Sequence, residues 1–186
     1  KAVVQTQRMV AANIAQARQV LAQTAGWSET MLDWLPWSHV SGACNQFATL
    51  CSGGRFYIDA GRPMPGLFEE SLRNIKEIPP SFHINVPFGY AMLADALEQD
   101  AELRMQFFRN LRLALYGGAG LPQALYERFQ RLAVETIGER IFFTTGYGAT
   151  EPTPGCVSIY FPPEAAGIRP PLPASGPSYP RSMRRS

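Results

Sequence analysis

The 186 residues are 46% hydrophobic and 17% charged, which is typical of a globular protein with one sizeable core. The net charge of +2 is close to balanced, so it does not favour nucleic acid or an anionic membrane surface as the main partner. Because no apolar run approaches the length of about 18 residues that a spanning helix needs, we expect no membrane span.

Strand-like and helix-like patterns alternate along the chain. Strands are predicted where short runs are rich in β-branched or aromatic residues, and helices where apolar residues recur every three or four positions. In chain order, we predict strand 1–6, helix 6–26, strand 31–37, helix 41–54, strand 55–60, helix 65–78, strand 81–86, helices 88–99 and 101–110, strand 111–118, helix 122–138 and strand 140–148. Strands separated by helices imply crossover connections, so the prediction is an α/β fold with a mostly parallel sheet.

The C-terminal end differs in composition from the rest of the chain. From Gly167 it reads GIRPPLPASGPSYPRSMRRS, with a proline every few residues and arginine as its only charged type. Such a segment buries too little apolar surface to offset the entropy of ordering. We therefore predict a disordered tail over residues 168–186, for which a frameshift is one explanation, after an ordered part over residues 1–167. The first residue is Lys1 rather than Met, and we expect an internal fragment of a longer protein.

The cysteines and histidines predict neither disulfides nor a zinc site. Cys44, Cys51 and Cys156 form no CxxC pair and cannot make a disulfide framework, so we predict small buried thiols in a cytoplasmic protein. His39 and His83 lack the cysteine or carboxylate neighbours of a zinc site. His83 alternates with apolar residues inside a predicted strand, which indicates a structural role.

The segment FFTTGYGATEP, which follows the last predicted strand, combines residues that suit a nucleotide. Gly146 and Gly148 permit close approach of a ligand to the backbone, and Tyr147 offers a flat ring between them. Thr150 can donate a hydrogen bond to a phosphate, and Glu151 can hold Mg²⁺. These features predict a nucleotide site with Mg²⁺, and the alternative is an ordinary tight turn with a half-buried tyrosine.

Two further loops follow predicted strands. The glycine-rich YGGAGLP, residues 116–122, leads into a helix and can present backbone N–H groups to a ligand, although it is no dinucleotide fingerprint or Walker loop. The alternative is a structural turn. In LPWSHVSG, residues 35–42, Pro36 ends the strand and His39 precedes a helix. His39 is either a ligand-binding residue or a surface or capping histidine.

Together these loops resemble the motifs of the adenylate-forming superfamily, which includes acyl- and aryl-CoA synthetases, luciferases and the adenylation domains of peptide synthetases. YGATE after TTG resembles the adenine-and-phosphate motif, LPWSHVSG the Pro-x-x-His segment, and YGGAGLP the GGAPL turn. Within the superfamily, DWLPWSH, GGRFYIDAGRP and INVPFGY are most similar to bacterial feruloyl-CoA synthases. The resemblance spans residues 1–167 and implies part of the large N-terminal domain of such an enzyme.

The resemblance implies an enzyme that uses ATP and Mg²⁺ to adenylate an aromatic, ferulate-like carboxylic acid and then transfers the acyl group to coenzyme A. On the nucleotide side, Tyr147 would stack on adenine, Thr150 would bind phosphate and Glu151 would hold Mg²⁺. Lys1 would be the lysine that is the last charged residue of a phosphate loop. The rest of that loop would lie before the first residue of the chain. The resemblance also assigns nucleotide contacts to Gly146, Gly148, Gly118, Ala119 and Gly120.

On the acid side, the resemblance implies that His39 borders the carboxylate and acts in catalysis with Thr150 and Glu151. Substrate contacts are also implied for Phe88, Gly89, Gly117 and Thr145. Most of the phosphate loop, the ribose-binding aspartate, the hinge and the small C-terminal domain are missing from the sequence. We therefore expect the chain alone to be inactive. The alternatives are a ligase for fatty or amino acids and a non-catalytic module that binds a nucleotide or an aryl acid.

Overall fold

The computed structural model describes residues 3–20, 29–151, 153 and 155–159, without the side chains of residues 17–20, 147 and 155–159. The elements are α1 Gln7–Val20, β1 Thr30–Asp33, α2 Val40–Cys51, β2 Arg55–Ile58, α3 Phe68–Glu77, β3 Phe82–Asn85, α4 Pro87–Gln99, α5 Ala101–Phe108, β4 Leu113–Tyr116, α6 Gln123–Ile137, β5 Phe142–Gly148 and β6 Gly155–Ile159. In these ranges, no helix is both long and apolar enough to cross a membrane.

The strands form one sheet in the order β2-β1-β3-β4-β5-β6. Strands β2, β1, β3, β4 and β5 pair in parallel, and helices connect them. This arrangement confirms the predicted α/β fold with a mostly parallel sheet. Gly138 ends α6 with φ +76, the left-handed conformation that glycine adopts at a helix C-terminus without strain.

The structure differs from the predicted elements at both ends. Residues 3–6 form no strand, although a strand was predicted over residues 1–6. At the other end, β6 was not predicted, and it pairs antiparallel with β5. An antiparallel neighbour needs no crossover helix, so the strand-helix alternation could not reveal it. The predicted tail, residues 168–186, lies outside the described residues.

The core is a cluster of aromatic rings between the sheet and helices α4, α5 and α6. Phe129 of α6 lies with its ring centroid 5.2 Å from Tyr90 and 5.5 Å from Phe143. Tyr90 is fully buried, and its hydroxyl lies 3.0 Å from the carbonyl oxygens of His83 and Leu115. The cluster therefore joins helices α4 and α6 to strands β3, β4 and β5 through apolar burial.

The structural role predicted for His83 agrees with its surroundings. The ring is buried and meets Tyr90 and Phe107 edge-on, at centroid distances of 5.6 and 5.3 Å. Neither ring nitrogen has a hydrogen-bond partner among the described residues. Burial lowers the pKa of His83 to about 4, although the charge of Asp59 acts in the opposite direction. His83 is therefore neutral at physiological pH.

The prediction of buried thiols is right for Cys44 and wrong for Cys51. Cys44 is buried, whereas Cys51 is exposed because it is the last residue of α2, where the helix leaves the core. Cys44 and Cys51 are not joined by a disulfide. The side chain of Cys156 lies outside the described residues, and a cytoplasmic location stays a prediction.

Candidate active site

The predicted ligand loops leave one edge of the sheet. Parallel pairing aligns the carboxyl ends of the central strands: Asn85 of β3 pairs with Tyr116 of β4, and Tyr116 pairs with Thr145 of β5. Asp33 ends β1, and Asn85 ends β3, the strand between β1 and β4. Ligands of open α/β sheets bind at this edge, beyond the carboxyl ends of the strands. The loops after β4 and β5 are therefore neighbours, and the loop after β1 lies on the other side of β3.

The glycine turn, residues 117–120, is open. Gly117 donates its N–H to the carbonyl oxygen of Asn85 at 3.3 Å, and Gly118 has φ +82, a conformation that favours glycine. A Cβ atom added at Gly117 or Gly120 would meet no described atom within 4 Å. Ala119 is exposed as well. The turn therefore has room for a ligand against its backbone, and nucleotide binding there stays a prediction.

Strand β5 continues through Gly146, Tyr147 and Gly148. Gly146 and Tyr147 pair with Ser158 and Val157 of β6, and the register shifts between Tyr147 and Gly148. Gly146 and Gly148 therefore belong to a strand with a bulge, and the turn comes after them, where Thr153 N donates to the Thr150 carbonyl oxygen. The alternative of a structural turn in this segment stays open. Thr145 donates its hydroxyl to the carbonyl oxygen of Tyr116 at 3.0 Å, which ties β5 to the strand before the glycine turn.

The residues predicted to bind phosphate and Mg²⁺ lie beyond that strand. Thr150 and Glu151 are both exposed, and the Thr150 carbonyl oxygen accepts hydrogen bonds from Gln5 Nε2 at 2.6 Å and from Thr153 N at 3.3 Å. Gln5 thereby connects this loop to the N-terminal segment. Lys1, the predicted phosphate-loop lysine, and the Tyr147 side chain, the predicted adenine platform, lie outside the described residues.

Glu151 is the acidic residue available for Mg²⁺ in this loop. The described residues contain no group of three or more His, Cys, Asp or Glu side chains that could hold a metal. Protein sites for Mg²⁺ often use one or two carboxylates together with the phosphates of the substrate. An exposed Glu151 beside an exposed Thr150 fits such a shared site, in which the nucleotide supplies the remaining ligands.

His39 has the capping role that was the alternative to ligand binding. It is the N-cap of α2, and its Nδ1 accepts a hydrogen bond from Ser41 N at 3.2 Å. A neutral imidazole that accepts at Nδ1 carries its proton on Nε2. Because the His39 side chain is exposed, this Nε2–H can still donate to a ligand. The cap and the predicted acid contact therefore use different nitrogens.

Asp33 holds the loop between β1 and α2, and sequence reasoning missed it. Its carboxylate accepts from Leu35 N at 2.9 Å and from Asn45 Nδ2 at 3.0 Å. Burial raises the pKa of Asp33, the charge of Asp59 adds to the shift, and these hydrogen bonds oppose it. The bond to the backbone two residues on is an Asx turn, so an aspartate at the end of a strand was the available signal.

Asn85 is a second residue that sequence reasoning missed. It is 3% exposed, and its Oδ1 accepts from Trp34 Nε1 at 3.2 Å and from Val86 N at 2.9 Å. A Cβ atom added at Gly89 would lie 2.2 Å from that oxygen. Gly89, predicted to contact the acid, is thus buried against Asn85, and its missing side chain is explained by packing. Phe88, also predicted on the acid side, is 61% exposed.

Comparison with known proteins identifies the family. The family model described as AMP-binding enzyme matches residues 1–181. The chain belongs to this family. It is 28% identical over 160 residues to a long-chain-fatty-acid–CoA ligase of Thermus thermophilus, over 86% of this chain and 27% of the relative.

Solved structures have the same fold. A long-chain-fatty-acid-CoA ligase from Archaeoglobus fulgidus matches with a TM-score of 0.62 and 24% identity, over 85% of this chain and 30% of that chain. An o-succinylbenzoate coenzyme A synthetase from Bacillus subtilis in complex with AMP matches with a TM-score of 0.64 and 21% identity, over 86% and 29%. The chain therefore spans less than a third of the length of these relatives.

In this AMP-binding enzyme, the structure brings together some of the predicted site residues and separates others. Thr145 lies on β5, which pairs with β4, and the glycine turn, residues 117–120, directly follows β4. His39 lies in the loop after β1, which the hydrogen bond between Trp34 and Asn85 joins to β3. The nucleotide-side predictions thus fall at the ends of β4 and β5, and His39 falls after β1, with β3 between them. The acid-side predictions are divided: Phe88 and Gly89 follow β3, whereas Gly117 and Thr145 lie with the nucleotide-side residues.

Proposed function

We propose that this chain is part of a ligase that uses ATP and Mg²⁺ to activate a carboxylic acid as its adenylate and then transfers the acyl group to coenzyme A. One observation carries the proposal. In a chain of the AMP-binding enzyme family, the Pro-x-x-His loop, the glycine turn and the loop of Thr150 and Glu151 follow parallel strands of one sheet at its carboxyl edge.

The proposed nucleotide contacts follow from the open loops. The backbone of residues 118–120 would lie against the nucleotide and Gly117 against the acid, because Cβ atoms added at Gly117 and Gly120 meet open space. The exposed hydroxyl of Thr150 would donate to a phosphate oxygen, and Glu151 would hold Mg²⁺. Mg²⁺ would neutralise phosphate charge when it is bound. Tyr147 is the proposed adenine platform, and Lys1 the proposed phosphate contact.

The proposed acid contact centres on His39. Its Nε2–H would donate to the substrate carboxylate, holding one anion while the phosphates are held on the other side of β3. Trp37 is 49% exposed and Phe88 is 61% exposed, so flat apolar side chains flank the loops on the acid side. These rings favour an aromatic acid, and we propose a hydroxycinnamate such as ferulate.

A fatty acid is the second candidate substrate. The relative from Thermus thermophilus is named as a long-chain-fatty-acid–CoA ligase, and its alignment covers 86% of this chain. An aromatic side chain also packs against an alkyl chain, so the same rings could take a fatty acid, although they favour an aromatic one.

Exchange of labelled pyrophosphate into ATP by the full-length protein tests the proposal, with ferulate, palmitate, acetate and alanine as the acids. We expect the fastest exchange with ferulate, and a CoA thioester once coenzyme A is added. Exchange with palmitate alone would select the second candidate. No exchange with any acid, in protein that still binds ATP, would overturn the ligase proposal and favour a binding module. The 186-residue chain alone should give no turnover.

A further inference from the structure

We infer that Asn85 is a positioning residue that joins the acid-side loop to the start of α4 and thereby sets the affinity for the carboxylic acid. The acid-side loop is residues 34–39, which run from Trp34 to His39. The inference rests on the proposed function and deepens it, because it assigns to a residue outside the recognised motifs control over one of the substrates.

The Asn85 amide oxygen holds two chain segments at once. Trp34 Nε1–H and Val86 N–H are both donors, so the atom that faces them is the oxygen Oδ1. The first bond fixes the beginning of the acid-side loop, and the second fixes the residue before α4. Because Asn85 is 3% exposed, water cannot readily replace either bond.

Helix α4 is packed directly on this amide. A Cβ atom added at Gly89 would lie 2.2, 2.6 and 2.8 Å from the Oδ1, Cγ and Nδ2 atoms of Asn85, closer than real Cβ contacts come. Glycine at position 89 therefore lets the first turn of α4, which includes Phe88, rest on Asn85. A side chain at position 89 would displace the amide that holds Trp34.

The side chain and the main chain of Asn85 reach different loops. The side chain bonds Trp34, which begins the loop that ends at the proposed acid contact His39, and Val86, which precedes the helix of Phe88. The contact with the glycine turn runs from Gly117 N to the main-chain oxygen of Asn85, and a substitution retains that oxygen. Removal of the amide should therefore weaken acid binding while nucleotide binding stays nearly unchanged.

The test is pyrophosphate exchange by the full-length protein, with ferulate or whichever acid of the panel gives the fastest rate. Asn85→Ala should raise the KM for the acid about tenfold, the effect of two lost hydrogen bonds, and leave the KM for ATP within about twofold.

Two further variants test the same contact from its neighbours. Gly89→Ala should reproduce the raised KM for the acid because it displaces the amide. Trp34→Phe removes the Nε1–H donor while it keeps a smaller aromatic ring, and it should raise that KM by about threefold to fivefold. If Asn85→Ala yields no folded protein, these two variants decide: a raised KM for the acid in both supports the inference, and an unchanged KM in both overturns it.

Gln130→Ala is the matched control. Gln130 is another buried amide that holds backbone, accepting from Ile141 N at 3.1 Å and donating to Ile141 O at 3.0 Å. Ile141 precedes β5, at the opposite end of the strand from the ligand loops. Gln130→Ala should lower the melting temperature without changing the ratio of the two KM values.

The outcomes separate the inference from the proposed function. If Asn85→Ala behaves like Gln130→Ala, with lower stability and an unchanged KM ratio, the positioning role is overturned and the ligase proposal stands. If the wild-type protein shows no exchange with any acid, the ligase proposal fails and the inference fails with it.

Discussion

The sheet has two sides, strands β3, β4 and β5 on one and strands β1 and β2 on the other, and different kinds of contact hold them. Strands β3, β4 and β5 are covered by the aromatic cluster around Phe129, where large rings are fully buried. At the carboxyl ends of strands β1 and β2, buried carboxylates instead bind the loops that follow and helices α2 and α3. Asp33 bonds Leu35 and Asn45, and Asp59 Oδ1 accepts from Gly61 N at 2.9 Å and from Asn74 Nδ2 at 2.8 Å.

This difference separates the proposed functions of the two sides. The nucleotide-side loops follow β4 and β5, which apolar burial holds, and such burial depends little on pH. The acid-side loop follows β1, which ionisable and amide groups hold. On the far side of β1, the edge strand β2 leaves Ile58 68% exposed, so this side buries less apolar surface. We therefore expect apolar truncation to act most strongly on the first side, and loss of polar groups to act most strongly on the second.

Truncation in the aromatic cluster should have the largest effect. Phe129→Ala removes a fully buried ring that contacts four others, and it should lower the free energy of unfolding by about 3–5 kcal/mol. Urea unfolding followed by circular dichroism measures this loss. Phe47 is 49% exposed, and Phe47→Ala is the control, with an expected change below about 1 kcal/mol. Equal losses in the two variants would contradict a stabilising role for the cluster.

Acidification should have the next largest effect through His83, at the border between the two sides. Its pKa is about 4 in the folded protein and about 6.5 in an unfolded chain, so the unfolded state binds more protons between these values. The His83 contribution is therefore complete above pH 6.5 and falls by about 3 kcal/mol as the pH drops through 4. The pKa of Asp33, which burial raises, acts in the opposite direction because the folded state holds that proton more tightly.

Urea unfolding between pH 7 and pH 4 measures the His83 effect. His83→Leu should flatten the loss of stability across this range, because it removes the group that gains a proton on unfolding. Phe107→Leu is the control, since Phe107 packs against the His83 ring but carries no ionisable group. A pH profile that is the same in wild type and His83→Leu would show that other groups cause the acid sensitivity.

Removal of Asp33 should have a smaller effect, confined to the polar side. Asp33→Ala leaves Leu35 N–H and the Asn45 amide without their acceptor, and it should lower the free energy of unfolding by about 2 kcal/mol. Asp33→Asn keeps one acceptor oxygen for Leu35 N and should cost less. Hydrogen exchange checks the location: the amides of residues 34–45 should exchange faster in Asp33→Ala, and the amides of α6 should not. Uniformly faster exchange would contradict a local role.

Much of the fold was predictable because its signals are local. The alternation of short apolar runs with helical periodicity predicted the parallel sheet, and Gly138 predicted the end of α6. The polar contacts at the sheet edge were not predictable in the same way. Asn85 acts on Trp34, which is 51 residues away in sequence. Nothing in the neighbouring sequence marks an asparagine that will accept from a tryptophan in the loop after another strand, because only the folded sheet brings the two together.

The smallest stability effect, and the sharpest test of the polar side, concerns the two nitrogens of His39. His39→Ala removes both the cap on Ser41 N and the proposed Nε2–H donor, so it should lower stability by about 1 kcal/mol and also weaken acid binding. His39→Asp should restore the cap, since aspartate is a favourable N-cap residue, but it places no donor before the substrate carboxylate. We therefore expect His39→Asp to melt near the wild-type temperature and to keep a raised KM for the acid in pyrophosphate exchange. If acid affinity instead follows stability across the two variants, His39 acts on the substrate only through the helix that it caps.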